Sequence, residues 1–384
     1  MKISSDVIDI DGYLFLHQEN KAQEQIAYLS GQKKLSPEVV SNFKFNIAYN
    51  KHVLSSLDIK TLHVIFPAKP VAFRKMFENN GVNINSLYNH QSFDEIRDLI
   101  YYPDVHISDY LKTDTHNSDL GKVRIISNLL KRVGYDITGF TPVYRHKSIM
   151  GDLSKMIKGG EELVEEFCFF SQNPFNCIEA YSTSKCLVGN SGHIDYHING
   201  NAIFKERIVL FGDSFFRTAL HIWNKLFQEV IYFRSPFIIN DICELLKPNL
   251  VLTGNAERYL VNSRKHVDSP PYLAYFLSDK YDSKSLTEKD VLGFSKLFLP
   301  RESTKSWISS LSVNIPKLKQ NNPLEISIDD VISDKDVDYV RDMANYYFEN
   351  NQKEYARHLI DLAYKFRPSE FISKQRETFT SSFT

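Results

Sequence analysis

The stretch Arg207–Trp223, RIVLFGDSFFRTALHIW, passes from a run of apolar residues through a polar turn into a helical pattern. An apolar run of this length is typical of a strand that is buried on both faces. The turn is Gly212-Asp213-Ser214, and a strand that leads directly into a helix indicates a crossover unit of a parallel sheet. On its own, the stretch leaves open whether Ser214 belongs to a plain turn beside a helix cap or is a nucleophile at the end of a strand.

Strands and helices also alternate on both sides of this stretch. Upstream, residues 60–68 (KTLHVIFPA) predict a short buried strand that ends at Pro67. Downstream, the predicted order is helix, strand, helix and strand, over residues 216–230, 231–235, 239–247 and 248–255. This alternation predicts an α/β protein with a parallel sheet and helices on both faces.

Two turn signals predict β-hairpins. Residues 7–17 (VIDIDGYLFLH) are rich in β-forming residues and contain an Asp-Gly turn. Residues 193–211 (HIDYHINGNAIFKERIVLF) alternate around Asn199-Gly200, which is typical of a type I′ hairpin. We therefore expect two hairpins, the second leading into the strand of the opening stretch.

The composition limits the class of protein. The chain has 384 residues, which favours one large domain or two modest ones. Its formal net charge is −1, so no global basic excess points to nucleic-acid binding. No stretch has the length of a membrane span, and the N-terminus lacks the apolar run of a signal peptide. We therefore expect a cytoplasmic protein without an integral membrane segment.

Neither a metal site nor a resident cofactor is predicted. The four cysteines form no Cys-x-x-Cys pair, so we expect reduced, buried thiols instead of a zinc site or a redox motif. His193, Asp195 and His197 alternate along a predicted strand, an arrangement that metal ligands can have. Because no further ligand type clusters nearby, we expect these three residues to form an exposed polar strand face.

The C-terminal part has a different character. Residues 316–323 (PKLKQNNP) predict a linker, so we divide the chain into a domain over 1–314 and a helical segment over 325–384. That segment predicts two helices and a stop. Five of its residues have the spacing of a tetratricopeptide (TPR) repeat: Ala344, Tyr347, Ala356, Ala363 and Pro368. A single repeat leaves a plain helical hairpin equally open.

A polar loop upstream offers partners for Ser214. In open α/β sheets, ligands bind beyond the carboxyl ends of the strands, where the opening stretch places Ser214. Asp114 and His116, in YLKTDTHNSDLG, lie two residues apart and can face one site. We predict Ser214 as nucleophile, His116 as its base and Asp114 as the acid that orients His116. The N–H groups of Ser214 and Phe215 could stabilise an oxyanion. A helix cap in the same polar loop stays an alternative.

Six segments occur in an order that resembles one known family. They are DGYLFLH (11–17), LHVIFPAKPVAF (62–73), LKTDTHNSDLG (111–121), IMGDLSKMI (149–157), VLFGDSFFR (209–217) and LLKPNLVLTGNAERYLV (245–261). The resemblance is to the alginate O-acetyltransferase family, the AlgX/AlgJ proteins, and it covers roughly residues 7 to 265. It implies an SGNH-hydrolase-like (flavodoxin-like) domain, with the catalytic Asp and His at Asp114 and His116 and the nucleophile at Ser214.

Two further residues acquire candidate roles from this resemblance. Asn255 occupies the place of the Gly-x-Asn oxyanion block of the broader SGNH superfamily, although a turn residue is the alternative. Arg258 would line the cleft, or else form a structural ion pair. The chain departs from the family at Asn117, where a tryptophan is usual, and we expect this change to reshape the acceptor side of the cleft.

The resemblance implies an O-acetyltransferase that moves an acetyl group to a hydroxyl of a glycan through a serine acyl-enzyme. Without an export signal, the expected acceptor is a capsule, lipopolysaccharide or other polysaccharide precursor, and the expected donor is acetyl-CoA, although no motif marks a CoA site. Two alternatives stay open. One is a carbohydrate esterase (deacetylase) with the same triad, and the other is a non-catalytic glycan-assembly subunit whose C-terminal helices bind a protein partner.

Overall fold

The computed structural model describes residues 4, 6–19, 21, 24–89, 91–138, 140–157, 163–170, 179–183, 191–268, 322–331 and 334–381. The chain divides into two compact units. The first lies within residues 1–171, 181–196 and 203–298, and the second within 172–180, 197–202 and 299–384. Cys177, Cys186 and residues 316–321 of the expected linker lie outside the described residues.

The described strands are β1 (Val7–Ile10), β2 (Tyr13–Leu16), β3 (Lys60–Phe66), β4 (Ile100–Tyr101), β5 (Tyr144–Met150), β6 (Val164–Phe170), β7 (Glu179–Ser182), β8 (Ile194–Ile198), β9 (Phe204–Gly212), β10 (Phe227–Phe233) and β11 (Leu250–Ala256). The α-helices are α1 (Gln25–Leu29), α2 (Pro37–Ser56), α3 (Lys69–Ala72), α4 (Arg74–Asn79), α5 (Asp119–Arg132), α6 (Ser214–Arg217), α7 (Leu220–Leu226), α8 (Asn240–Leu246), α9 (Asp334–Glu349), α10 (Lys353–Phe366) and α11 (Glu370–Ser381). Short 3₁₀ helices lie between them, among them Gln91–Leu99 and Glu257–Asn262.

A seven-stranded sheet has the order β4-β3-β11-β9-β10-β8-β7. All neighbouring pairs from β4 to β10 are parallel. Strand β9 is therefore central, with β11 on one side and β10 on the other. The predicted α/β class with a mostly parallel sheet is confirmed, and the carboxyl ends of these strands lie along one edge, where such sheets bind ligands.

The predicted N-terminal hairpin is also confirmed. Strands β1 and β2 pair antiparallel, with Val7 opposite Leu16. Asp11 and Gly12 both have positive φ, 52° and 79°, as a type I′ turn requires.

Two predicted elements differ from the structure. The helix predicted over 216–230 ends at Leu226, and the following residues belong to β10. The sequence of β10, FQEVIYF, is rich in aromatic and β-branched residues, so pairing with β9 outweighs the helical spacing. The hairpin predicted around Asn199-Gly200 is wrong, because β8 lies beside β10 and not beside β9.

A buried ion pair fixes the register of the two central strands. Arg207 of β9 lies opposite Glu229 of β10, and the two residues are 2% and 3% exposed. The Arg207 guanidinium donates to Glu229 Oε2 at 2.6 and 3.1 Å and to the carbonyl of Leu246 at 2.6 Å. Such a pair costs desolvation energy but strongly disfavours any register that separates its partners.

The main core lies against this sheet. Helices α5 and α7 contribute buried residues that pack with those of β9, β10 and β11: Ile125, Ile126, Leu129, Ile222, Trp223, Leu210, Val230 and Leu252. Among the described residues, no helix combines the length and apolar character needed to cross a membrane.

In the second unit, α10 packs against both α9 and α11. Ala344, Ala356 and Ala363 are fully buried in this cluster, so small residues lie where the helices approach each other. The predicted pair of helices is present, but a third helix, α11, follows Pro368, where only a stop was expected. The assignment as a TPR-like repeat stays a prediction.

Candidate active site

Ser214 is the first residue of α6 and follows Asp213 at the end of β9. Asp213 caps this helix, since its Oδ1 atom accepts a hydrogen bond from the backbone N–H of Phe215 at 2.9 Å. Its Oδ2 atom accepts another from the N–H of Ala256, at the end of β11, at 2.7 Å. Asp213 thus ties the residue after Ser214 to the neighbouring strand and fixes where the serine stands.

Two glycines let the strands approach closely beneath Ser214. A Cβ atom on Gly212 would lie 2.1 Å from the carbonyl oxygen of Gly254. One on Gly254 would lie 2.6 Å from the carbonyl oxygen of Val64. A larger residue at either position must therefore displace backbone. Close strand packing, and not a left-handed conformation, explains the glycine of the Gly-Asp-Ser turn.

The structure brings Ser214, His116 and Asp114 together. Nε2 of His116 lies 2.9 Å from Oγ of Ser214, and Nδ1 lies 2.8 Å from Oδ1 of Asp114. The side chains of His116 and Asp114 are 16% and 14% exposed. In this arrangement Asp114 holds the tautomer in which Nδ1 carries the proton, so Nε2 can accept the proton of Ser214. The ring of His116 also packs on that of Phe215, with centroids 4.9 Å apart.

Asp114 has the electrostatics of an orienting acid. Burial raises the pKa of its carboxyl, but the hydrogen bonds and charge of His116, together with the N–H of Asp152, hold that pKa well below its usual range. The N–H of His116 donates to Oδ1 at 2.8 Å, and that of Asp152 donates to Oδ2 at 3.0 Å. Asp114 is therefore ionised at neutral pH, and both of its oxygens are held in place.

A buried lysine supports the loop from below. The ammonium of Lys69 donates to the carbonyls of Leu14, Lys112 and Asp114, at 2.7, 2.8 and 3.1 Å. Burial lowers the pKa of Lys69 to about 7, although the charges of Glu165 and of the nearby aspartates raise it. Lys69 thus joins the N-terminal hairpin to the backbone of the loop that carries Asp114.

Two further segments hold the same loop. The carboxylate of Glu165 on β6 accepts hydrogen bonds from the N–H groups of Lys112 and Thr113, both at 2.7 Å. On another side, Gly151 donates to Oγ1 of Thr113 at 3.2 Å, and a Cβ atom on Gly151 would lie 2.0 Å from the Thr113 carbonyl oxygen. The loop is thus fixed by parts of the chain that are distant in sequence.

Sequence reasoning assigned no role to these supporting residues. Lys69 and Asp152 lie inside two of the segments that resemble the alginate O-acetyltransferases, and this was the one sign in the sequence that they could matter. Glu165 lies outside every motif, and its contacts depend on the pairing of β5 with β6, so no local pattern could have indicated it.

The residues predicted to bind the oxyanion and the substrate are less well placed for their roles than the three central residues are. The N–H of Phe215 donates to Asp213 and must leave that bond, or share it, to bind an oxyanion. Asn255 is half-buried on β11. The guanidinium of Arg258 lies over the ring of Tyr259, 4.7 Å from its centroid. Within the described part of the chain, no hydrogen bond joins Asn255 or Arg258 to the three central residues.

The burial of Asn117 does not support the expectation that this residue reshapes the acceptor side of the cleft. It is 1% exposed and lies in the interior, where it lines a small cavity together with Phe66, Phe215 and Trp223. Its position follows from the backbone, because Asn117 pairs with Tyr110 in an isolated antiparallel bridge. The residue therefore supports the site from within the core.

The expected exposed strand face at His193 and Asp195 is wrong as well. Both residues are buried, at 5% and 4% exposure. Arg217, one turn after Ser214 on α6, donates to Asp195 at 2.7 Å and lies 3.2 Å from Nδ1 of His193. His193 and Asp195 are thus inside, where they contact a charged residue of the helix that carries Ser214.

Asp114, His116 and Asp152 are residue types that can hold a metal ion, and one ligand atom of each lies within 4.8 Å of the others. However, Nδ1 of His116, which faces both carboxylates, is already hydrogen-bonded to Asp114, and Nε2 faces Ser214. A proton between Nδ1 and Asp114 occupies the place that a cation would need. That the site works without metal or cofactor stays a prediction.

No protein-family model matches the sequence, and neither does any curated protein. Several solved structures are similar. The structure of Bacillus cereus PatB1 with a sulfonyl adduct has 13% sequence identity and a TM-score of 0.51, and the match covers 68% of this chain and 97% of that one. This likeness shows a shared fold.

Two of the similar structures belong to the family that the sequence motifs resemble. The O-acetyltransferase domain of Pseudomonas putida AlgJ has 14% identity and a TM-score of 0.39, with 71% of this chain and 99% of that chain covered. Pseudomonas aeruginosa AlgX has 14% identity and a TM-score of 0.38, with 67% and 66% covered.

Proposed function

We propose that the protein is an SGNH-type O-acetyltransferase that transfers an acetyl group to a hydroxyl of a glycan. The observation that carries this proposal is the continuous hydrogen-bonded chain from Ser214 through His116 to Asp114 at the carboxyl edge of the sheet. A serine becomes a nucleophile when a base accepts its proton and an acid stabilises the protonated base. The motif order that resembles the alginate O-acetyltransferases supports acetyl as the group and a glycan as the acceptor.

In the first step, Oγ of Ser214 attacks the carbonyl carbon of the acetyl donor while Nε2 of His116 takes its proton. The bond from the acetyl carbon to the leaving group breaks, and His116 returns the proton to that group. Acetyl-CoA is the donor that we propose, with its thiol as the leaving group. The products of this step are acetyl-Ser214 and the free thiol, and Asp114 stays ionised throughout.

In the second step, a sugar hydroxyl attacks the ester carbon, and His116 takes the proton of that hydroxyl. Oγ of Ser214 leaves and receives the proton, so the acetyl group ends on the sugar and the enzyme is restored. A capsule or lipopolysaccharide precursor fits this role as acceptor. If water attacks instead, the same residues act as an esterase, so exclusion of water decides between the two activities.

The C-terminal helices have a separate proposed role. The buried alanines between α9 and α10 support a TPR-like hairpin, and we assign to it the binding of a protein partner.

Turnover of p-nitrophenyl acetate tests the proposed reaction. Replacement of Ser214 by Ala is expected to lower the rate by about 10³-fold or more, because the nucleophile is lost. Ser56→Ala is the matched control, since Ser56 is an exposed serine at the end of α2. Undiminished turnover by Ser214→Ala would show that the assigned nucleophile is wrong.

A second measurement separates transferase from esterase. Wild-type protein is incubated with acetyl donor and a panel of oligosaccharides, and both acetylated sugar and free acetate are quantified. Acetylated sugar that depends on Ser214 supports the transferase. Free acetate alone, at a rate that no sugar changes, supports the esterase.

A further inference from the structure

A second carboxylate faces the ring nitrogen of His116 that Asp114 binds. Oδ2 of Asp152 lies 3.6 Å from Nδ1 of His116, and Oδ1 of Asp114 lies at 2.8 Å. A three-residue mechanism uses only one acid at this nitrogen. The second acid therefore requires an explanation.

Asp152 is interlocked with the loop that it faces. The backbone N–H of Thr115 donates to Oδ1 of Asp152 at 2.7 Å, and the hydroxyl of Thr115 donates to Oδ2 at 2.5 Å. In the reverse direction, the N–H of Asp152 donates to Oδ2 of Asp114 at 3.0 Å. Hydrogen bonds thus run both ways between Asp152 and the two residues that precede His116 in the chain.

The backbone around Asp152 is placed by close packing. Gly151 lies so near the loop that any side chain would meet the backbone of Thr113, and the N–H of Leu153 donates to the Thr113 carbonyl at 3.1 Å. The carboxylate is consequently held at the site by its neighbours on both sides, although its side chain is 41% exposed.

We propose that Asp152 is a positioning residue that holds the Thr115–His116 segment and adds a second negative charge opposite Nδ1 of His116. This inference rests on the proposed function, because the charge acts when His116 takes the proton of Ser214. The protonated ring then faces two carboxylates. Asp152 contributes less than Asp114, since it is more distant and more exposed to water.

Other charged groups around the ring do not replace this contribution. Among the described residues, Asp114 is the other acid at Nδ1, and Lys69, which lies below the Asp114 carbonyl, carries a charge of opposite sign below about pH 7. On the other side of the ring, Nε2 faces the neutral hydroxyl of Ser214. Burial and the charge of Asp114 raise the pKa of Asp152, so the second carboxylate loses its charge before Asp114 does as the pH falls.

The test is the pH profile of kcat/KM for p-nitrophenyl acetate, from about pH 5 to about pH 9. Asp152→Asn keeps the size of the residue and an acceptor for Thr115 but removes the charge. We expect kcat to fall about tenfold. We also expect the acid limb of the profile, the fall in kcat/KM at low pH, to shift to lower pH by about half a pH unit to one pH unit, because protonated His116 loses a favourable charge. Asp152→Glu keeps the charge, so we expect it to leave the acid limb near its wild-type position.

Glu165→Gln is the matched control, because it removes a carboxylate that binds Lys112 and Thr113 of the same loop without facing His116. Its acid limb is expected to stay at the wild-type pH. If the limb of Asp152→Asn also stays there, or if its kcat is unchanged, Asp152 has no such role. If Asp152→Asn behaves in either of these ways while Ser214→Ala is inactive, only the inference about Asp152 is wrong. Full activity in Ser214→Ala would show that the proposed function is wrong.

If Asp152→Asn does not fold, Thr115→Val takes its place. This variant removes the hydroxyl that donates to Oδ2 of Asp152 and keeps the backbone N–H donor. The proposal then requires a lower kcat with unchanged KM, and a wild-type kcat would overturn it.

Discussion

Replacement of Lys69 by Met removes the ammonium beneath the Asp114 loop while keeping most of the side-chain volume. Three carbonyl oxygens, those of Leu14, Lys112 and Asp114, lose the Lys69 ammonium, but that of Lys112 keeps the hydrogen bond from the N–H of Leu14 at 2.9 Å. A buried polar group left unpaired costs ~1–3 kcal/mol, so the carbonyls of Leu14 and Asp114 together cost up to about 6 kcal/mol. The substitution should therefore destabilise the fold and loosen the loop that orients His116.

Part of that cost is offset, because the variant no longer buries a charge. A pKa lowered from 10.5 to about 7 corresponds to a penalty of ~5 kcal/mol for the protonated form in the fold. At about pH 6, where the ammonium is protonated in both folded and unfolded chains, the net loss in the free energy of unfolding is therefore at most about 1 kcal/mol.

The pH dependence has a definite sign. Between about pH 7 and pH 10 the unfolded chain keeps the proton of Lys69 while the folded chain releases it, so the wild-type protein gains stability as the pH rises. Lys69→Met lacks this gain. The difference in unfolding free energy between the two proteins should therefore grow by about 2 kcal/mol between pH 7 and pH 9.

Urea unfolding followed by tryptophan fluorescence at several pH values measures this difference. Lys112→Met is the control, because Lys112 is an exposed lysine of the same loop and should change stability by no more than ~0.5 kcal/mol. A variant at Lys69 that is as stable as wild type at every pH, or a difference that shrinks as the pH rises, would refute this account of the buried lysine.

Two other variants probe the same loop. Gly151→Ala should lower the free energy of unfolding by about 1–3 kcal/mol and reduce kcat, because the new Cβ atom would meet the Thr113 carbonyl. The Tm and the rate of p-nitrophenyl acetate hydrolysis measure these effects, and wild-type values for both would contradict the prediction. Asp114→Asn should lose about 1–3 kcal/mol of stability at about pH 6. Since hydrogen bonding holds the pKa of Asp114 below its usual range, that stabilisation exists above about pH 4 and disappears as the pH falls. Urea unfolding at about pH 3 should thus bring variant and wild type closer together, and a constant difference would count against the ionised Asp114.

The positions of the three central residues could be predicted from the sequence more completely than the contacts around them. Asp114 and His116 share a face because they lie two residues apart, and Ser214 follows a strand of a parallel sheet, so local pattern and topology together predicted the edge where they lie. Gly212 lies in the turn of the opening stretch, but the reason for a glycine there is the close approach of Gly254 on the adjacent strand, which only the pairing of β9 with β11 reveals.

The wrong predictions concern residues whose environment depends on distant parts of the chain. His193 and Asp195 were expected in water, but Arg217 binds them from α6. Asn117 was expected to reshape the acceptor side of the cleft, but its backbone pairs with Tyr110 and the residue lies in the core. Contacts with such distant residues cannot be predicted from composition or from local spacing.

The same limit applies to strand boundaries. Residues 227–230 have helical spacing with the segment before them, yet they form part of β10. The ion pair of Glu229 with Arg207 and the parallel neighbour β9 decide their conformation, and both are long-range features. Helical spacing is overridden where tertiary pairing is this strong and the residues themselves favour a strand.

The central claim is that Ser214 forms a covalent acyl intermediate. Its most direct test is the intact mass of the protein after brief incubation with p-nitrophenyl acetate, with the adduct located by peptide mapping and Ser214→Ala treated in parallel. The account predicts one acetyl group on Ser214 of the wild type and none on the variant. An acetyl group on another residue, or an equal adduct on Ser214→Ala, would contradict it.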